Sequence, residues 1–270
     1  MKRLLLTLIA LASLTASAQS IFVKAGGGFA SQYGAAGYAG VAKVALGYEY
    51  ELSQTLAIAP SIGFAGRGWA LADVATPDML YDAKGNMLDA DGNITTLPSQ
   101  QAQRPVVDAD GKPVPGHYME SMMHRSYSAN YIQLDLPLNY YHRMGERRYV
   151  TLTAGPWMAC GFAGKRTTEG DGRACGERKV RYTDKTFSLD GARRIDCGLK
   201  AGIGYQFPSS LTLNLEGEFG LLKTNRTTVF DAAGRPDVLA DPFGGKASRN
   251  VSLMITVSYK LNKPRQRDDD

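Results

Sequence analysis

Three histidines occur in the chain, and only one of them lies beside residues that suit nucleophilic chemistry. His124 is followed closely by Ser126 and Ser128. A histidine base and a serine hydroxyl would support hydrolysis of an ester or amide if an acid oriented the histidine. Because histidine and serine occur together by chance in many loops, the sequence predicts no catalytic residue. His142 precedes a short turn, where we expect an interfacial role.

Four short segments repeat an aspartate-to-glycine spacing that is similar to part of a calcium loop. They begin at Asp82, Asp89, Asp108 and Asp231. An EF-hand loop needs further oxygen ligands and a glutamate at its twelfth position, whereas the twelfth residue counted from Asp89 is Gln100. We therefore predict hairpin turns, in which aspartate begins the turn and glycine adopts the left-handed conformation, with no metal or cofactor.

Three cysteines, Cys160, Cys175 and Cys197, are too few for a disulfide framework. Cys160 and Cys197 fall on the same face of neighbouring predicted strands, and Cys175 lies in the loop between them. A bridge from Cys160 to either of the others, or three free thiols, all agree with the sequence, because only geometry decides such pairings.

The chain that must position these residues begins with a segment suited to export. Residues 1–3 are basic at two positions, residues 4–14 are apolar, and residues 16–18 are small. This order is typical of a secretory signal peptide, and the apolar stretch is too short to span a bilayer as a helix. We predict a signal peptide over residues 1–18 and a mature chain that begins at Gln19.

The charge balance argues against nucleic acid as a partner. The 270 residues carry 31 basic and 26 acidic side chains, a net charge of +5. Removal of residues 1–18 takes away two basic residues, so the mature charge is 29 − 26 = +3. Such a mild excess does not favour nucleic acid, which an exported protein rarely meets.

The mature sequence alternates between apolar and polar residues with period two, which is typical of β-strands. Eight such stretches are present, and little of the chain has helical spacing. They cover residues 21–30, 42–52, 56–67, 131–142, 150–162, 195–207, 211–219 and 251–261.

The connections between these stretches are short and long in strict alternation. Three residues join the second stretch to the third, whereas the long loops cover about 68–130, 164–194 and 222–250. Short turns at one end and long loops at the other are typical of outer-membrane barrels with both termini in the periplasm. The sequence thus predicts an all-β, eight-stranded antiparallel transmembrane β-barrel over residues 19–261, followed by a charged periplasmic tail, 262–270.

The aromatic residues on the apolar faces support a barrel that faces lipid. They lie towards the periplasmic end of downward strands and towards the outer end of upward strands, which predicts two aromatic girdles at the membrane interfaces. The girdle residues are Phe29, Tyr48, Tyr50, Phe64, Tyr140, Phe162, Tyr205, Phe207, Phe219 and Tyr259.

The opposite faces would then line the lumen, and they carry charges of both signs. Buried charges require partners, and eight strands enclose a lumen that side chains can fill. We therefore predict a packed network of salt bridges and no open pore. Its members are Lys24, Lys43, Glu49, Arg67, Asp135, Asp196, Lys200, Glu216 and Glu218.

Pro60, Pro137 and Pro156 fall inside predicted strands, although a closed barrel has no edge where a missing donor is harmless. We interpret these prolines as β-bulge positions.

Two long loops have opposite charge. Residues 70–128 carry eight acidic and four basic side chains, and residues 165–194 carry nine basic and five acidic ones. These loops are expected to dock on each other, or the basic loop to meet the phosphates of lipopolysaccharide. Solvated loops without either role agree equally well with the sequence.

Short motifs lie in five strand segments: residues 23–26, 131–138 (YIQLDLPL), 154–156 (AGP), 195–198 (IDCG) and 201–204 (AGIG). With these motifs the chain resembles the PorT-like outer-membrane β-barrel proteins of Bacteroidetes. The resemblance covers the strands and not the loops. It implies the fold and an outer-membrane location, and it carries no residue-level function.

Taken together, the sequence predicts a non-enzymatic, monomeric envelope protein with outer-membrane lipid around the barrel. Its loops are expected to contact lipopolysaccharide or an envelope protein partner. A lipid-modifying enzyme at the barrel rim and a soluble periplasmic barrel that binds a small apolar ligand are the alternatives.

Overall fold

The computed structural model describes residues 19–84, 86–170, 180–188, 192–224 and 248–261. The predicted signal peptide, the predicted charged tail, Cys175 and the turn at Asp231 lie outside the described residues. None of the described segments forms a helix long and apolar enough to cross a membrane.

The described chain is built almost entirely from strands, with one short 3-10 helix, Pro98–Gln100. The strands are β1 (Gln19–Gln32), β2 (Gly37–Glu51), β3 (Leu56–Ile58), β4 (Ser61–Ala70), β5 (Val74–Pro77), β6 (Pro105–Val107), β7 (Pro113–Tyr118), β8 (Glu120–Asp135), β9 (Leu138–Gly145), β10 (Arg148–Gly170), β11 (Val180–Lys185), β12 (Ile195–Gln206), β13 (Leu211–Gly220) and β14 (Asn250–Lys260).

An antiparallel ring of eight strand positions closes into a barrel. Around the ring the order is β1, β2, β3 with β4, β8 with β9, β10, β12, β13 and β14. Closure comes from β1, which pairs with both β2 and β14; Gly26, for example, faces Lys43 on one side and Thr256 on the other. The predicted eight-stranded antiparallel barrel is confirmed.

The outer surface of the ring is apolar and its lumen is polar, which is the inverse of a soluble barrel. In β14, Ile255 is 59% exposed, whereas its neighbours Met254 and Thr256 are fully buried. The same alternation places Leu199 outside and Lys200 inside. A continuous exposed belt of leucine, isoleucine and valine is stable only against hydrocarbon.

The strand prolines interrupt hydrogen bonding without shifting the register, so the bulge interpretation is wrong. Ser61 faces Asp135 before the gap and Ile58 faces Leu138 after it, which leaves the same number of residues on both strands. The proline carbonyls remain acceptors: Pro60 accepts from Tyr48 N at 2.9 Å and Pro137 from Ala59 N at 2.9 Å. Each proline therefore removes one hydrogen-bond donor from the strand ladder and inserts no extra residue.

Two strands continue well past the predicted membrane span. The outer parts of β8 and β10 pair with each other, as Glu169 does with His124, and β5 and β11 flank them. We call β5, β11, residues 120–130 of β8 and residues 163–170 of β10 the outer extension. The hairpin of β6 and β7 lies beyond it in the long loop.

The aspartate segments of this loop form turns, as predicted. In each, the aspartate Oδ1 accepts hydrogen bonds from backbone nitrogens two and four residues ahead; Asp89 accepts from Asp91 N at 3.0 Å and Asn93 N at 2.8 Å. Asp82 and Asp108 repeat this pattern. Gly92 and Gly111 take φ values of +81° and +77°, the left-handed conformation that glycine tolerates. The carboxylates thus serve their own backbone.

Candidate functional site

The barrel lumen is filled by charged side chains that contact one another, and Lys43 lies at the centre. Its Nζ is 2.9 Å from Asp135 Oδ2 and 2.6 Å from Glu218 Oε1. All three side chains are 1% exposed. The strand alternation brings them inward from β2, β8 and β13, so three strands far apart in sequence meet at one cation.

Further side chains extend this cluster up and down the lumen. Lys200 Nζ bridges Glu216 at 3.3 Å and Asp135 at 3.6 Å. Lys24 pairs with Glu216, and Arg67 pairs with Glu218. Seven of the nine predicted residues therefore form one connected network, which contains four cations and three carboxylates. The remaining two are Glu49 and Asp196.

Gln133 joins the network through its amide and was not predicted as a member. Its Nε2 donates to Asp135 at 2.8 Å and to Glu218 at 2.9 Å, and its Oε1 accepts from Arg67 at 2.7 Å. The amide thereby satisfies Asp135 Oδ1, which the lysines leave open, and shares Glu218 Oε1 with Lys43. This matters because an unsatisfied buried carboxylate is costly.

Glu49 belongs to a separate cluster near the periplasmic end. Lys260 Nζ lies 2.7 Å from its Oε1, and the hydroxyl of Tyr141 donates to its Oε2 at 2.5 Å. Lys260 Nζ also stands 5.1 Å from the centre of the Tyr141 ring. A cavity of about 30 Å³ lies beside these groups, lined also by Lys24 and Asn214, and it has room for about two water molecules.

Asp196 lies at the outer end of the lumen, where its described partner is an amide. Asn250 Nδ2 donates to its Oδ2 at 2.7 Å, and Gln32 Nε2 donates in turn to Asn250 at 3.1 Å. Within the described residues, Asp196 Oδ1 and the hydroxyl of the buried Tyr131 have no hydrogen-bond partner. Asp196 is thus placed in the lumen, but in a hydrogen-bonded cluster of its own.

Aromatic side chains close the lumen above the charges. Trp69, Tyr131, Trp157 and Phe187 form one buried cluster, in which the rings of Tyr131 and Phe187 meet edge to face at 5.5 Å. The guanidinium of Arg67 lies 5.2 Å from the centre of the Trp157 ring. The charged network and this aromatic plug together fill the lumen from its centre to its outer mouth.

Phe187 reaches the plug from the segment that follows β11. Its ring lies over Gly161, where an added Cβ would stand 2.2 Å from the ring. Thr186 fixes the segment by donating from Oγ1 to Ser128 O at 2.6 Å, and Arg194 Nη1 donates to Gly161 O at 3.0 Å. A loop residue is therefore part of the lumen, which the strand pattern alone does not indicate.

Lys260 is a lumen residue that was not among the nine predicted ones. The nine predicted lumen residues comprise four cations and five carboxylates, and the structure supplies the fifth cation as Lys260. Lys260 lies on the polar face of the last strand, and the excess of one carboxylate among the nine predicted residues is the signal that could have identified it. Among the described residues, the lumen thus contains five charged side chains of each sign.

The predicted girdle residues lie on the lipid-facing surface in two groups. Phe29, Phe162 and Phe219 are exposed at the outer end, and the rings of Phe64 and Phe162 meet at 6.2 Å. Tyr48, Tyr50, Tyr140, Tyr205, Phe207 and Tyr259 lie towards the short turns, with Tyr205 and Phe207 4.9 Å apart. Tyr38 joins the outer group against Phe29 at 5.4 Å and was not predicted.

The separation of the two groups fits a membrane. Tyr259 faces Leu211, and Phe219 faces Val251 eight positions along β14. Eight residues at about 3.3 Å each, tilted by about 40°, span roughly 20 Å along the barrel axis. This is close to the height of about 25 Å of the apolar band of outer-membrane barrels.

The histidine and serine segment lies on the exposed face of the outer extension. His124 Nδ1 is 2.8 Å from Asp73 Oδ1, so an acid does orient this histidine. Within the described residues, however, no hydrogen bond joins His124 to Ser126. The arrangement has the acid and base of a catalytic triad without an engaged nucleophile.

Cys160 and Cys197 are free thiols, so of the alternatives that the sequence left open, the bridge between these two cysteines does not form. Cys160 faces Ile195, whereas Cys197 faces Met158. The two cysteines are therefore diagonal neighbours on the lipid-facing surface.

The two loops of opposite charge meet through their main chains. Residues 123–128 of β8 pair with residues 165–170 of β10 in the outer extension. Two ion pairs of the basic segment join residues of that same segment: Arg166 with Asp184 at 3.0 Å and Arg181 with Glu169 at 3.0 Å.

A family model described as outer membrane protein beta-barrel domain matches residues 21–225. Ail, the attachment invasion locus protein of Yersinia pestis, is similar in structure, with 9% identity, a TM-score of 0.34, and coverage of 91% of this chain and 100% of that chain. Neisserial surface protein A has 11% identity and a TM-score of 0.34 at the same coverage. A major outer membrane protein from Thermus thermophilus has 14% identity and a TM-score of 0.35 at the same coverage. No curated protein matches the chain.

Proposed function

The chain belongs to the family of the outer membrane protein beta-barrel domain, and from this premise we propose that it is a non-enzymatic envelope protein that binds a partner through its surface loops. The observation that carries the proposal is the filled lumen. Lys43, Arg67 and their carboxylate partners occupy its centre, and the ring of Phe187 closes its outer mouth. A barrel filled in this way anchors its loops and does not conduct solutes.

The composition of the long loop supports binding of a protein partner. Large apolar side chains stand exposed there, away from the lipid-facing belt: Ile94 is 64% exposed, Val107 56% and Tyr118 54%. Aromatic and aliphatic side chains of this kind are typical anchors in protein interfaces. Val107 precedes the turn at the tip of the β6 and β7 hairpin, where a partner can reach it.

Site-specific photocrosslinking in native outer membranes tests this function. A benzophenone amino acid at Val107 is expected to give a discrete protein adduct, whereas the same group at Ile255 in the lipid-facing belt is expected to give none. A second variant replaces residues 79–118 by Asn-Gly. Asp78 N and Met119 O are already 2.9 Å apart, so this short turn leaves the barrel intact.

The shortened variant is expected to retain heat-modifiable gel mobility, which reports a folded barrel. In a strain from which the gene is deleted, it is expected not to restore the phenotype that the full-length protein restores. Full complementation by the shortened variant, together with the absence of an adduct at Ile94, Val107 and Tyr118, would refute the proposed role of this loop.

The finer assignment to the PorT-like proteins of Bacteroidetes is part of the same proposal. It is supported by the motif of residues 131–138, whose inward members Tyr131, Gln133 and Asp135 all serve the lumen.

A lipid-modifying enzyme is the second candidate, because Asp73 orients His124 at 2.8 Å. In this candidate Ser126 rotates towards His124 when substrate binds. Mass spectrometry of lipid A from cells that carry H124A with S126A tests it, and a lipid pattern identical to that of the wild type refutes it.

A further inference from the structure

Two lysines face each other across neighbouring strands just outside the membrane. Lys165 of β10 is the direct partner of Lys185 of β11, and both side chains are exposed. Directly opposed residues of an antiparallel pair share one face, with Cβ atoms about 5 Å apart, and like charges in that position are destabilising. A bound anion between the two ammonium groups would remove this repulsion.

The described carboxylates nearby are already paired. Asp184 lies 3.0 Å from Arg166, and Glu169 lies 3.0 Å from Arg181. Within the part of the chain that the structure describes, no carboxylate forms an ion pair with Lys165 or Lys185. The anion that suits the lysine pair therefore comes from outside the described chain.

Both ammonium groups belong to the outward face of the barrel wall. Ser128 faces Lys165 from β8 and is exposed, whereas its neighbour Ala129 is fully buried in the lumen. On β10, Gly164 points inward, since an added Cβ there would meet Thr186 Oγ1 at 2.8 Å. Lys165, one residue further, consequently points outward.

The height of the pair fits the headgroup layer. Lys165 follows Phe162 of the outer girdle by three residues, which is about 10 Å along the strand and roughly 8 Å along the axis of a barrel with a tilt of about 40°. The headgroup layer extends about 5–7 Å beyond the hydrocarbon on each side. Lysine side chains reach several ångströms from their backbone towards such a layer.

We propose that Lys165 and Lys185 form a binding site for a phosphate group of the outer-leaflet glycolipid. Hydroxyl groups on the same outward face, those of the paired Thr167 and Thr183, supply neutral donors for phosphate or sugar oxygens. The hydroxyl of Ser128 instead accepts from Lys165 N at 3.2 Å and donates to Lys165 O at 3.5 Å. The site adds a lipid contact to the proposed function. It depends on that function only because both require the barrel to lie in the outer membrane.

The full-length protein in nanodiscs, titrated with bisphosphorylated lipid A, tests the site. Each basic residue near an anionic headgroup contributes about fivefold to affinity, so K165Q with K185Q is expected to weaken binding about 25-fold. K84Q with K112Q is the matched control, because both of these exposed lysines lie in loop turns, and it is expected to bind within about twofold of the wild type. Lysine-to-arginine exchange at both positions is expected to preserve binding.

Dephosphorylated lipid A and inorganic phosphate identify the source of the phosphate. We expect dephosphorylated lipid A to bind the wild type as weakly as bisphosphorylated lipid A binds the double variant, and millimolar inorganic phosphate to compete poorly. Equal binding of lipid A by the wild type and the glutamine variant overturns the site. Competition by inorganic phosphate at the affinity of lipid A overturns the lipid as its source. Either result leaves the crosslinking at Val107 unaffected, so the two proposals fail separately.

Discussion

Removal of the Lys260 ammonium is expected to destabilise the barrel more than removal of both Lys260 and Glu49. The variant K260M leaves the Glu49 carboxylate inside the lumen with the hydroxyl of Tyr141 as its hydrogen-bond donor. The double variant K260M with E49Q removes both charges, and the new amide oxygen still accepts from Tyr141. The comparison therefore separates an unpaired buried charge from a missing ion pair.

The expected magnitude follows from burial. The side chains of Lys260 and Glu49 are 8% and 4% exposed, and removal of one partner of a buried pair costs about 3–5 kcal/mol. The adjoining cavity of about 30 Å³ admits water, which partly solvates the remaining carboxylate. We therefore expect K260M to lower the free energy of unfolding by about 3 kcal/mol, and the double variant to lie within about 1 kcal/mol of the wild type, because neutral replacement of a buried pair costs little.

Urea unfolding from lipid vesicles, followed by tryptophan fluorescence, measures both values. The two tryptophans of the chain, Trp69 and Trp157, are buried at the outer mouth and report loss of the lumen. The exposed pair of Arg181 and Glu169 is the control, and R181M is expected to cost less than about 1 kcal/mol.

Two results would refute this reasoning. If K260M is no more costly than R181M, then Lys260 does not neutralise a buried carboxylate. If the double variant is as unstable as K260M, then the loss arises from packing of the lysine stem and not from an unpaired charge on Glu49.

Three further predictions concern the plug, the lipid-facing belt and the thiols. G161A places a methyl group 2.2 Å from the Phe187 ring, so we expect a loss of about 1–3 kcal/mol. We also expect new conductance steps in planar bilayers for this variant and none for the wild type. I255R sets a charge in the middle of the lipid-facing part of β14 and is expected to cost about 2–4 kcal/mol in the same urea assay. The third prediction concerns Cys160, the exposed thiol on that face, in a variant that has no other cysteine. This thiol is expected to react with a membrane-permeant maleimide and not with a charged one.

Much of the barrel could be predicted because lipid imposes a pattern on single residues. Each position that faces hydrocarbon must be apolar, so Leu253, Ile255 and Val257 reveal β14 without knowledge of any contact. The inward placement of Lys43 and Glu218 follows from the same alternation. These inferences need only the parity of a residue within its strand.

The partners inside the lumen could not be predicted, because they depend on how strands stagger around the ring. Lys24 meets Glu216 across 192 positions of sequence, and alternation alone cannot distinguish this pairing from one with Glu218. Gln133 was missed because an amide on a polar face looks like any other polar residue. Phe187 was missed because it enters the lumen from a loop.

A single extra residue in β10 changes which positions of this strand face outward above the membrane. The register between β8 and β10 shifts between Gly161 and Ala163, where β10 advances two residues against one on β8. Such a bulge reverses the parity of every residue beyond it. Phe162 and Ala163 are consequently both exposed, and the period-two pattern is interrupted between them. Below the bulge the odd-numbered residues of β10 point into the lumen, whereas beyond it they point outward. Lys165 is odd-numbered, so the extra residue is what turns its side chain outward, towards the headgroup layer.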